Sequence, residues 1–174
     1  LFLLGKALWL GRAPPAQRPG LIDEIIFICS ATAERFGQDS LVAEMGDTVL
    51  LSTRAKEYER IKEEFEELTG LTHSKAQEAL ENFRATLEKR LLDELGDEYA
   101  GLKVVSRVKS ISSMQEKTER DQKGIGEFYD IFGLTVIFPE GKGRNDAIVK
   151  KILQEFGVLV EEKTGDNSPI TRVY

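Results

Sequence analysis

The sequence predicts an α/β fold in which a helical region precedes a β-sheet flanked by helices. Three observations carry this expectation. Apolar residues recur at three- and four-residue intervals between Leu21 and Leu95, the period of one helix face after another. From Leu102 the period changes to two, as it does on a strand. Thereafter strand, helix, strand, helix and strand follow in turn. They are Leu102–Val108, a helix opened by serines, Leu134–Phe138, a helix from Asn145 to Phe156, and Val158–Val160. The three strands are expected as neighbours in one sheet.

Composition narrows the class. The chain has 174 residues, enough for a real core, with 31% charged and 41% hydrophobic residues, the balance of a soluble globular protein. The net charge is -6, so the surface as a whole repels nucleic acid and any polyanion site must be a local basic patch. Cys29 is the single cysteine. It is read as a small core residue, and a disulfide framework within the chain is excluded, which favours a reducing compartment, the cytoplasm or, in a plant or alga, an organellar stroma.

The first ten residues, LFLLGKALWL, are apolar but fall short of the ~20 residues of a membrane-spanning helix, and no signal-peptide pattern surrounds them. They read as the end of a buried helix whose partners lie upstream. Pro14, Pro15 and Pro19 then break the chain. Ile22, Ile25, Ile26, Cys29, Ala33 and Phe36 predict a helix with one broad apolar face, stopped by Gly37. Leu41, Met45, Val49 and Leu50 mark a shorter helix.

Two charged helices come next. Tyr58, Ile61, Phe65 and Leu68 form the seam of the first, which Gly70 ends. The second opens on a capping-box pattern, Ser74 with Gln77. Its seam is Ala76, Leu80, Phe83, Leu87, Leu91 and Leu95, and Gly96 stops it. Glu59–Lys62 and Glu81–Arg84 have the spacing of surface ion pairs. The pair reads as an antiparallel hairpin packed on the following sheet. His73, the only histidine, reads as a surface residue at a helix start.

The stretch from Leu102 to Phe138 carries the chemistry. Alternation puts Lys103, Val105, Arg107 and Lys109 on one strand face and Leu102, Val104, Ser106 and Val108 on the other. Ser110, Ser112 and Ser113 suit a helix N-terminus, and Ser113 and Lys117, four apart, share a helix face. Arg107, Lys109, Ser113, Lys117 and a helix N-terminus would together make a polyphosphate cradle. Asp130, just ahead of the next strand, is placed to hold Mg²⁺ against a nucleotide.

The pattern R-x-K-x-x-x-S-x-x-x-K, followed by D-x-x-G and a strand, resembles the synthetase domain of the RelA/SpoT family. These enzymes move pyrophosphate from ATP to the 3′-hydroxyl of GDP or GTP, making the alarmones ppGpp and pppGpp. The resemblance implies ATP contacts at Arg107, Lys109, Ser113 and Lys117, a catalytic Mg²⁺-binding Asp130, and a nucleotidyltransferase-like mixed sheet. Thr135 departs from the pattern, because the family usually has an arginine there against the adenine.

Upstream, ATAERFG, LVAEMGDTVL and AKEYERIKEEF are similar to the connector of the long RelA/SpoT enzymes. On this comparison residues 1–36 are the end of a hydrolase-like domain, 37–98 a connector with a helical hairpin, and 99–174 the first half of the synthetase domain. Lys6 stands where the hydrolase tail usually has Asp. One histidine cannot furnish an HD-type hydrolase site. The family's D-Y-I-x-x-P-K-x-x-G-Y motif, whose tyrosine stacks on guanine, and its E-x-Q-I-R-T motif do not occur in this sequence. The expectation is a truncated synthetase domain. Glu161 and Glu162 read as a solvated face.

Three readings stay open. They are the donor-nucleotide half of a synthetase, a non-catalytic nucleotide-binding module favoured by Thr135, and a helical interaction scaffold without a ligand.

Overall fold

A computed structural model describes residues 2–141, 143, 145–157, 160–163 and 170–173. Among the described residues eight α-helices and four strands follow in order: α1 (Phe2–Leu10), α2 (Arg18–Glu24), α3 (Ala31–Arg35), α4 (Asp39–Thr53), α5 (Ala55–Thr69), α6 (His73–Leu95), β1 (Lys103–Val108), α7 (Ile111–Asp121), β2 (Phe132–Ile137), α8 (Asp146–Glu155), β3 (Val160–Lys163) and β4 (Ile170–Val173). The chain is mainly helical and of mixed α/β class. It divides into two compact units, one of residues 1–70 with 110–127, the other of residues 71–109 with 128–174.

The first unit is helical. Ala7 and Leu10 of α1 are fully buried with Leu21, Ile25, Cys29, Ala33 and Met45. Within this chain the apolar N-terminal helix thus packs on residues downstream of it, and Lys6 pairs with Glu24 of α2. Pro19 does not break the chain. It sits in the first turn of α2, where a missing N–H costs nothing.

Between α2 and α3 the chain stays helical but takes a π-helical form over Ile25–Ser30. The buried line is Leu21, Ile25, Cys29 and Ala33, a spacing of four that suits a turn wider than α. The expected face is accordingly narrower than its apolar residues: Ile26, Phe27, Ile28 and Phe36 are exposed. Cys29 is buried, as expected of a small core residue.

Helix α5 buries Ile61 and Phe65 and packs with α4 and α7. Its seam is thus used among the helices of its own unit. Gly70 closes it at φ 69°, a left-handed conformation that a side chain would strain.

In the second unit α6 and α8 supply the helical layer. Leu87 and Leu91 of α6 and Val149, Ile152 and Leu153 of α8 bury against Leu102 and Val104, with Leu134 and Val136 alongside. The cap of α6 is Thr72, whose side chain accepts from Lys75 N–H at 3.3 Å, two residues ahead of the expected Ser74. Both residues can cap. Thr72 is the one that takes extended backbone angles directly ahead of the helix. Asn145 caps α8 as its position predicted, accepting from Ile148 N–H at 3.3 Å.

Strands β1 and β2 pair antiparallel with Lys103 opposite Ile137, Val105 opposite Thr135 and Arg107 opposite Gly133. Val104 and Val108 are buried and Lys103, Val105 and Arg107 exposed, the alternation the sequence predicted. The expected third neighbour is elsewhere. Val160 opens β3, which pairs antiparallel with β4 in a separate two-stranded sheet. Val158 and Leu159 lie outside the described residues. Glu161 and Glu162 fall within β3 and not after it. Both described ladders are antiparallel, so no mixed sheet forms among the described residues.

Candidate functional site

The residues singled out by the sequence fall in both units. Arg107, Lys109 and Asp130 belong to the sheet-bearing unit, and Ser113 and Lys117 to the helical one.

In the sheet-bearing unit the geometry joins Lys109 and Asp130. Lys109 follows the end of β1, and its N–H donates to the Ile131 carbonyl at 2.8 Å, extending the ladder by one rung. That rung brings the chain next to Asp130 into register with Lys109. The Lys109 Nζ donates to Asp130 Oδ2 at 3.2 Å. The Lys109 side chain is 13% exposed and that of Asp130 43%, so the cation is sheltered while the carboxylate still meets solvent. The Lys109 carbonyl accepts from Nε2 of His73 at 2.9 Å. A carbonyl only accepts, so the proton is on Nε2. Sequence reasoning passed over this role for His73, because residues 73 and 109 are brought together only by tertiary packing.

Arg107 is exposed on the outer face of β1. Thr135, opposite Val105, shares that face, so a longer side chain at 135 would stand beside the same surface. The register thereby makes the Thr135 departure a matter of the Arg107 face.

In the helical unit the serines organise the start of α7. Ser110 is the N-cap, and its Oγ accepts from Ser113 N–H at 3.3 Å. The same hydroxyl donates to Ser113 Oγ at 2.9 Å and lies 3.2 Å from Ser112 Oγ. One hydroxyl has one proton, so Ser112 is the donor in the latter contact. Ser112 N–H donates to Asp47 Oδ1 of α4 at 2.7 Å. A carboxylate of the chain itself thus occupies part of the helix N-terminus expected to face phosphate. Ser112 is buried whereas Ser113 and Lys117 are partly exposed, so this contact serves the inner side of α7. Arg54 clasps Glu119 further along α7, and this contact holds the Glu119 carboxyl below its ordinary value.

Asp130 offers hard oxygen ligands, which suit Mg²⁺. Among the described residues no three His, Cys, Asp or Glu side chains group as a metal site. No helix among the described residues is long and apolar enough to cross a membrane. No family model and no curated protein sequence matches the chain.

Proposed function

We propose that this chain carries the donor-nucleotide half of a RelA/SpoT-type synthetase, one that transfers pyrophosphate from ATP to the 3′-hydroxyl of GDP or GTP. The observation that carries the reading is the Lys109–Asp130 pair at 3.2 Å, a sheltered cation beside a solvent-facing carboxylate within the R-x-K-x-x-x-S-x-x-x-K…D pattern. A nucleotidyltransferase-like sheet is part of this proposal, with the antiparallel β1 and β2 as its first two strands.

On this reading Arg107 and Lys109 of the sheet-bearing unit neutralise the triphosphate, and for Ser113 and Lys117 a part in ATP binding rests on the family pattern alone. Asp130 would hold Mg²⁺, which when bound supplies charge neutralisation across phosphate oxygens. The Lys109–Asp130 contact keeps both groups at the sheet end before nucleotide arrives, so little reorganisation is needed. In the reaction the acceptor 3′-oxygen would bond to the β-phosphorus and lose its proton to water as the bond from that phosphorus to the α–β bridging oxygen breaks, releasing AMP.

The family's guanine-stacking motif and second carboxylate motif do not occur in this sequence. Without them the acceptor hydroxyl is unoriented, and about 7–11 kcal/mol of proximity and orientation is forgone. The chain by itself should bind Mg·ATP weakly and make no ppGpp. Thr135, on the face it shares with Arg107, favours a second reading, a non-catalytic module that binds nucleotide without transferring from it. An NMR titration with ATP and Mg²⁺ tests both. Shifts centred on residues 107–117 and 130 are expected, and their absence would leave a helical interaction scaffold as the better reading.

A further inference from the structure

We infer that His73 is a positioning residue for Lys109, and through it for the nucleotide site; the second clause rests on the function proposed above. Lys109 stands at the point where the sheet ends. Its N–H still has a ladder partner in Ile131, at 2.8 Å, but its carbonyl lies beyond the last paired residue of β1, Val108. A strand-end carbonyl with no ladder partner ordinarily leaves the backbone free to swing, carrying the side chain with it. His73, the first residue of α6, meets this carbonyl at 2.9 Å.

The two bonds fix the peptide groups on either side of the Lys109 Cα, so the direction of its side chain toward Asp130 is set by backbone contacts and not by the ion pair alone. Imidazole suits the task. Its Nε2 carries a proton in the neutral Nε2–H tautomer and in the cation alike, so either form supplies the donor. The Thr72 cap adds to this, because starting α6 at His73 brings the ring to the first turn of that helix.

The test compares the full chain with His73→Gln, which keeps a donor near the Nε2 position, and His73→Ala, which has none. The first readout is the backbone amide of Ser110, whose nitrogen is bonded to the Lys109 carbonyl carbon and reports its hydrogen bonding. The second is the Kd of Mg·ATP from chemical-shift titration. His73→Ala should displace the Ser110 amide resonance and weaken Mg·ATP about fivefold, the scale of one lost hydrogen bond. His73→Gln should restore both to near the parent values. An unmoved Ser110 amide in His73→Ala, or an alanine variant that binds Mg·ATP as tightly as the parent chain, overturns the inference. If the parent chain itself shows no Mg·ATP shifts while Ser110 still follows the residue-73 donor, the synthetase reading fails and the positioning of Lys109 by His73 stands.

Discussion

Gly46 of α4 lies so close to Ser112 of α7 that a β-carbon on the glycine would come within 2.8 Å of the serine hydroxyl oxygen. Alanine in a helix interior ordinarily gains about 1 kcal/mol over glycine. Here that gain meets a buried hydroxyl already engaged with Ser110, and overpacking of this kind costs about 1–3 kcal/mol. Gly46→Ala should therefore destabilise the chain in urea unfolding. Once Ser112→Ala has removed the oxygen, the same substitution should stabilise it. A reversal of sign across the double-mutant cycle is the result that checks the contact.

The neighbouring Asp47 gives a second prediction. Its carboxylate receives the Ser112 N–H at 2.7 Å, a donor on a buried residue at the first turn of α7. Asp47→Ala strands that donor and should cost about 1–3 kcal/mol. Asp47→Asn keeps an acceptor oxygen but gives up the charge that complements the helix N-terminus, and should cost less than the alanine change. Amide hydrogen exchange at Ser112 should quicken in the alanine variant and stay slow in the asparagine one.

Acid stability follows from Glu81. Its carboxylate accepts from Arg84 Nε at 2.7 Å and from Ser106 Oγ at 3.0 Å, tying α6 to β1. These bonds, that to Arg84 foremost, hold its pKa below the ordinary glutamate range. A group lowered in the folded state contributes stability above its unfolded pKa, about 4.3, and loses it as the pH falls through the lower folded value. The Tm should thus be flat near neutrality with respect to this group and fall below about pH 4.3. Glu81→Gln should lower Tm at neutral pH and show a shallower acid fall. Parallel Tm profiles for the two proteins would rule out the contribution.

Asp130→Asn separates stability from ligand chemistry. Because the Asp130 carboxylate is partly solvated, its pairing with Lys109 contributes about 1 kcal/mol or less. The variant should therefore unfold close to the parent chain in urea. Its binding of ATP should lose dependence on Mg²⁺, because the one carboxylate assigned to the ion is gone. Titrations of ATP with and without Mg²⁺ on both proteins measure this, and an undiminished Mg²⁺ effect in Asp130→Asn would show that the ion is held elsewhere.

Much of the secondary structure was legible because its causes are local. The α6 seam through Ala76, Leu87 and Leu91, the alternation along β1, the Asn145 cap and the Ser110–Ser113 turn each depend on residues within a few positions. Where two local choices were nearly equal, as between Thr72 and Ser74 at the α6 cap, the sequence pattern picked the wrong one. Of the charges that the sequence offered for polyphosphate and Mg²⁺, Lys109 and Asp130 are joined by the structure, and their contact was not legible because it spans 21 positions.

The sequence by itself determined the order of the elements from β1 onward to β3, the two faces of β1 and the residue types available for phosphate and metal. Tertiary structure alone decided which of them meet. The antiparallel ladder and its extra rung at Ile131 bring Lys109 to Asp130, the α6 N-terminus brings His73 to the Lys109 carbonyl, and α4 brings Asp47 to the start of α7. It also decided that α5 packs among helices and that β3 pairs with β4 apart from β1 and β2. The physical reason is that periodicity tells which face of an element is apolar but not which other apolar face will cover it. Hydrogen bonds between residues 36 or 65 positions apart, such as His73–Lys109 and Asp47–Ser112, leave no trace in local spacing.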